Sequence, residues 1–131
     1  MQTVKTTKVL RTGELTGAAL DWAVAKCEYD NRRYNYGSPC FSPTTKRVYE
    51  TKGLQEIGVN FAPSEEWKQG GPIIEREGIS INAHLDGFEW FARDYWGLNE
   101  QAAEKPLEAA MRCYVASKLG DTVEVPEELT Q

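Results

Sequence analysis

The sequence predicts one α+β domain over residues 1–131, a mostly antiparallel sheet packed by two main helices at about residues 16–27 and 106–119. Two stretches with helical spacing of apolar residues bracket a middle made of short β-branched runs. Gly, Pro and Asp-Gly signals separate those runs, as turns between antiparallel strands require. The chain has 131 residues, 40% of them hydrophobic and 27% charged, which suits one core in an ordinary globular protein. It contains no internal repeat and no low-complexity linker.

Residues 3–10 mix β-branched residues with lysines and read as a first strand at a sheet edge. Thr16 can cap a helix in which Leu15, Ala19, Trp22 and Ala23 share a face with Leu20, Val24 and Cys27 beside it. Trp22 belongs to that apolar pattern and reads as core. Residues 29–45 follow no period and read as a long loop. Its Tyr34 and Tyr36 either pin the loop to the body or, with Arg32, stack on a planar ring and hold a phosphate. Short strands are expected at residues 47–49 and 58–61.

The densest punctuation lies at Pro63-Ser64-Glu65-Glu66-Trp67-Lys68-Gln69-Gly70-Gly71-Pro72. Ser64 reads as a helix N-cap, Glu65 to Trp67 as one helical turn, and Gly70-Gly71-Pro72 as its end. Residues 73–77 then read as a strand with Glu75 and Glu77 opposite Arg76, and Gly78 breaks it before a strand at 79–83. Asp86-Gly87 is a turn, and residues 88–93 another strand. Pro106 opens the last helix, where Leu107, Ala110, Met111, Tyr114 and Val115 form a stripe. Gly120 closes it, and Thr122 to Val125 makes a final strand ended by Pro126.

A net charge of −5 argues against a general nucleic-acid binder. No apolar run approaches the roughly 20 residues of a membrane span, and the first twelve residues hold no secretory signal. Three cysteines without close pairing fit reduced thiols and a cytoplasmic protein. One histidine and no CxxC leave no pattern for a zinc site, and no cofactor is expected.

Catalysis is not expected either. His84 has no partner motif, Cys40 lacks a Cys/His pattern, and there is no GxGxxG or P-loop. Binding needs less. Trp67 can stack on a ring, while Gly70 and Gly71, with Gln69 beside them, let a ligand approach backbone amides. Arg76 can grip a phosphate with two parallel hydrogen bonds, Trp90 can furnish a wall together with Tyr95 and Trp96, and Arg32, Tyr34 and Tyr36 a lid. Equally, Trp67, Ile73 and Ile74 simply close the core.

Three blocks carry a family resemblance: Leu15 to Ala25, Pro63 to Gly78, and Ala109 through Pro126. Together, and in this order, they resemble the NinX-like small proteins of tailed bacteriophages and prophages. The resemblance implies a phage accessory protein acting in the bacterial host's cytoplasm, and it implies no particular activity. In that setting the expected function is non-catalytic counter-defence, by sequestration of a nucleotide-derived small-molecule signal. The alternative is a protein–protein adaptor that modifies a host or phage enzyme. A homo-oligomer suits either.

Overall fold

The structure is a computed structural model that describes residues 7–31, 40–41, 48–52, 55–84, 87 and 89–130. In chain order it has strand β1 (Thr7–Arg11), helix α1 (Gly17–Asn31), strands β2 (Cys40–Phe41), β3 (Val48–Lys52) and β4 (Gln55–Asn60), and helix α2 (Trp67–Glu77). Strands β5 (Ser80–Ala83), β6 (Trp90–Arg93) and β7 (Glu100–Ala103), helix α3 (Pro106–Leu119) and strand β8 (Thr122–Pro126) follow. Short 3-10 turns occupy Thr12–Glu14 and Glu127–Thr130. The α+β class is as the sequence predicts, although the strands form three small antiparallel sheets, β1-β8, β2-β3-β4 and β5-β6-β7.

Helix α3 is the centre. Leu107, Ala109, Ala110, Met111, Cys113, Tyr114, Val115 and Ala116 are all buried, so the helix is apolar nearly all round and has to be covered on several sides. The β5-β6-β7 sheet, α1 and α2 provide that cover. Arg112 pins the arrangement. Its Nε donates to the Leu15 carbonyl at 2.7 Å, its Nη1 to the Ala102 carbonyl at 2.7 Å, and its Nη2 lies 2.9 Å from Glu108. Two backbone carbonyls, one before α1 and one in strand β7, thereby gain a partner beside the core.

Helix α1 carries Leu20, Ala23 and Val24 into the core and runs to Asn31, four residues past the predicted end. No Gly or Pro stands in the way before Gly37. Gly120 caps α3 as expected, its N–H reaching the Ala116 carbonyl at 3.0 Å with φ +89°. The acidic end of the chain is packed rather than loose: Leu129 is buried and belongs to the core.

The middle block differs from its sequence reading. Residues 67–77 form one helix, not a turn and a strand, and Gly70-Gly71-Pro72 lies inside it. Ser64 is not the cap. Glu66 holds that position without a side-chain bond, and Ser64 is buried further back. Spacing explains the outcome, because Gly70, Ile73, Ile74 and Glu77 fall on one face and bring the isoleucines to the core. Burying them outweighs the hydrogen bond that Pro72 cannot make, and Pro72 and Lys68 sit together on the exposed side. Gly78, at φ +67° and ψ 36°, ends the helix in the left-handed conformation.

Gly70 is required by contact. A Cβ there would lie 2.5 Å from Leu107 Cδ1 and 2.5 Å from the Pro63 carbonyl oxygen, whereas one on Gly71 would meet nothing within 4 Å. Gly70→Ala is therefore expected to lose about 1–3 kcal/mol by overpacking. Gly71→Ala should instead gain up to about 1 kcal/mol from helix propensity. Urea denaturation of the two variants measures both, and equal effects would contradict this packing.

Candidate functional site

Six of the residues singled out for binding have described side chains or positions: Trp67, Gln69, Gly70, Gly71 and Arg76 on α2, and Trp90 on β6. Arg32, Tyr34 and Tyr36 lie outside the described residues. Trp67 stands at the start of α2 and is 54% exposed. Gln69 turns back on the chain, its Oε1 accepting the Ala62 N–H at 2.6 Å. Gly70 is buried against Leu107, and Trp90 is half-buried against the core. Trp67 and Arg76 occupy opposite ends of the helix, about 13 Å apart along its axis.

Arg76 is the centre of a cluster where α1, α2 and α3 meet. Its Nη1 and Nη2 donate to the two oxygens of Glu28 at 3.1 and 2.6 Å, the parallel fork that suits a carboxylate. Its Nε donates to Glu77 at 2.9 Å, and Lys118 reaches the other oxygen of Glu77 at 3.1 Å. Tyr114, inserted from α3, donates its hydroxyl to Glu28 at 2.6 Å, and the guanidinium carbon lies 5.7 Å from its ring centroid. The Glu28 hydrogen bonds raise the Arg76 pKa further, and burial with the Glu28 bond raises that of Tyr114. Partial burial pushes Glu77 up, yet the bonds from Arg76 and Lys118 outweigh it and hold the carboxyl below its ordinary range. The helical course of 67–77 puts Glu77 beside Arg76, where a strand would have set them on opposite faces. The fork that a phosphate would use already holds a carboxylate of the chain itself.

Asp21, on α1, is a second electrostatic feature. It is 5% exposed, and its Oδ1 accepts the Ser64 N–H at 2.9 Å, tying α1 to the turn that leads into α2. Burial pushes the carboxyl up to about 7 against the pull of Ser64, and Glu65 and Glu108 face it with like charge. The Ser64 hydroxyl is buried without a hydrogen-bond partner among the described residues.

The third feature is the turn joining β6 and β7. Tyr95, Trp96 and Leu98 project from it at 70%, 78% and 81% exposure. Asp94 organises the turn, its Oδ1 accepting the Leu98 N–H at 2.8 Å and its Oδ2 the Asn99 side-chain amide at 2.8 Å. That Asn99 bond leads the interactions holding the Asp94 carboxyl below its ordinary range. Gly97, at φ +72°, provides the left-handed step. Tyr95 and Trp96 were foreseen as a pocket wall, whereas Leu98 and strand β7 were not. The available signal was Asp94 followed by Gly97 and Asn99, a turn pattern that hydrogen-bonds its own backbone.

The His84 ring packs tilted against Phe91, centroids 5.0 Å apart, and Cys113 is buried with its thiol pushed up to about 12 by burial, then by Asp94 and Glu100. Among the described residues no group of three or more His, Cys, Asp or Glu is placed to hold a metal ion. None of their helices is long and apolar enough to cross a membrane. One cleft of about 420 Å³ opens beside the start of α1, lined by Lys8, Leu10, Glu14, Thr16, Gly17 and Leu129 among others, and by none of the six residues above.

A small α+β domain with a buried central helix and an exposed aromatic turn is thus the class of protein in hand. A family model described as Bacteriophage P22, NinX matches residues 11–118, and the chain belongs to that family. It is a phage accessory protein. No curated protein matches it.

Two outcomes are expected. Because the folded carboxyl of Asp21 titrates higher than its usual 3.8, its own contribution to folding stability should be fully present below that value and be lost as the pH rises toward about 7. The loss should be about 2–4 kcal/mol. Asp21→Asn keeps the acceptor for Ser64 and should flatten the profile, as urea titrations between mildly acidic and mildly basic pH will show. Arg76→Met and Glu28→Gln should couple in a double-mutant cycle, by about 1 kcal/mol, while the amide oxygen at position 28 still accepts from Tyr114. Strictly additive effects would remove the cluster's structural role.

Proposed function

We propose that this phage accessory protein is a non-catalytic adaptor that docks on a host or phage enzyme in the bacterial cytoplasm. The single observation supporting this reading is the run of exposed apolar side chains, Tyr95, Trp96 and Leu98, on an internally braced turn. Large apolar side chains left in water side by side are a feature of protein-binding surfaces. Two of the cations that could recognise a small anion are engaged within the chain, Arg76 by Glu28 and Glu77 and Arg112 by Glu108.

Sequestration of a nucleotide-derived signal is the second reading. The 420 Å³ cleft favours it, since it lies in the size range of small-molecule sites and contains Lys8. Glu14 in the same cleft works against an anion.

Incubation with a panel of cyclic and ADP-ribose-derived nucleotides, followed by heat release and chromatography, separates the possibilities. The adaptor reading expects every nucleotide to stay in solution unchanged. Depletion with recovery of an intact nucleotide would establish the trap instead, and chemical conversion would establish an enzyme.

A further inference from the structure

Resting on the adaptor reading, we infer that the β6–β7 turn is a preformed anchor that inserts Trp96, flanked by Tyr95 and Leu98, into an uncharged apolar pocket of a partner protein. The first ground is rigidity. Asp94 accepts hydrogen bonds from Leu98 N–H and from the Asn99 amide, both at 2.8 Å, and the Asp94 N–H is held by the Asn99 carbonyl at 3.1 Å. Tyr95 is seated on the end of α2, so close that a Cβ on Gly78 would lie 3.0 Å from its Cδ1. Tyr95 and Trp96 pack edge to face at 4.8 Å. An anchor already in its bound shape loses little conformational entropy on docking.

The second ground is charge, and it identifies the occupant. At the base of the turn Arg93 is paired with Glu100 at 2.8 Å, and Asp94 is consumed by the turn itself. The tip thus presents no unpaired charge among the described residues, and a partner pocket lined with charge would leave its own groups desolvated. Anionic lipid is a poor occupant for a chain of net charge −5 whose Arg93, at the base of the turn, is already paired with Glu100. Nucleic acid is disfavoured in the same way.

The third ground is size. Three side chains with these exposures offer about 400–500 Å² of apolar surface. A stable interface of any kind needs about 800 Å² from each partner, and two convex tips meeting would cover only part of this surface, whereas a pocket would cover all of it and add its rim. The projecting shape instead fits a concave site, where one buried tryptophan can dominate the binding energy.

The test is photo-crosslinking of the full chain in host cells during phage infection, with benzoyl-phenylalanine at position 98 and, in a second strain, at the exposed Val9 as control. Expected is an adduct from position 98 with one protein, on a peptide lining an uncharged apolar cavity, and none from position 9. Trp96→Ala should reduce that adduct by at least roughly tenfold. Asp94→Ala, which loosens the turn without touching the tip, should reduce it several-fold while the melting temperature of the rest of the domain holds. Adducts with a second copy, with lipid or with a charged surface would overturn the inference, as would an unchanged yield in Trp96→Ala. An adduct from position 9 alone would leave the adaptor reading standing and remove the turn from it. No adduct from either position would sink both.

Discussion

The burial of α3 on nearly every side is the constraint on which the rest of the domain depends. A helix of this kind gains nothing from water on any face, so the chain must supply a layer for each side. The β5-β6-β7 sheet forms one layer, and α1 and α2 form the others. Backbone carbonyls at the ends of these layers come close to the core, and Arg112 satisfies two of them while its charge is balanced by Glu108. The same constraint sets the residue at position 70, since α2 reaches Leu107 closely only where a side chain is missing.

Electrostatics follow from that packing. Tyr114 belongs to the buried helix but carries a hydroxyl at its edge, and a buried hydroxyl requires a partner. Glu28 is that partner, Arg76 neutralises Glu28, and Glu77 with Lys118 completes the charge balance. Functional charge and structural charge compete for the same few residues in a domain this small. Here the structural use prevails where the three α-helices meet, and the β6–β7 turn presents aromatic side chains instead.

Legibility in the sequence followed the length of the periodic signal. Helix α3 was readable because its apolar stripe runs unbroken from Leu107 to Val115, and α1 was readable from Leu15 to Cys27 for the same reason. Helix α2 was not, because Gly70-Gly71-Pro72 carries every local mark of an ending, and it continues only because Ile73 and Ile74 reach the core, with Gly70 close against Leu107. The partner of Arg76 was equally hidden: Glu28 lies 48 residues away, and no local pattern joins them. Gln69, Gly70 and Arg76 were chosen for groups that could face a ligand, yet the fold gives those groups to Ala62, Leu107 and Glu28. Tyr95 and Trp96 were legible as exposed aromatics only in type, since their direction is decided by how Asp94 closes the turn.

The pairing of β1 with β8 bears on how the protein is made. Thr7 to Arg11 lies in register with Thr122 to Pro126, and Thr12 then bonds to the carbonyls of Asp121 and Gly120. More than a hundred residues are synthesised between the two strands. The first strand therefore emerges with its edge unsatisfied and waits, through the synthesis of the whole interior, for the segment that completes it. Local pairs such as β5 with β6 can form on the ribosome, but the closing sheet has to be assembled after residue 126 has left it. During that interval the exposed charges of Lys8 and Arg11 are what keep an open edge from recruiting a neighbour.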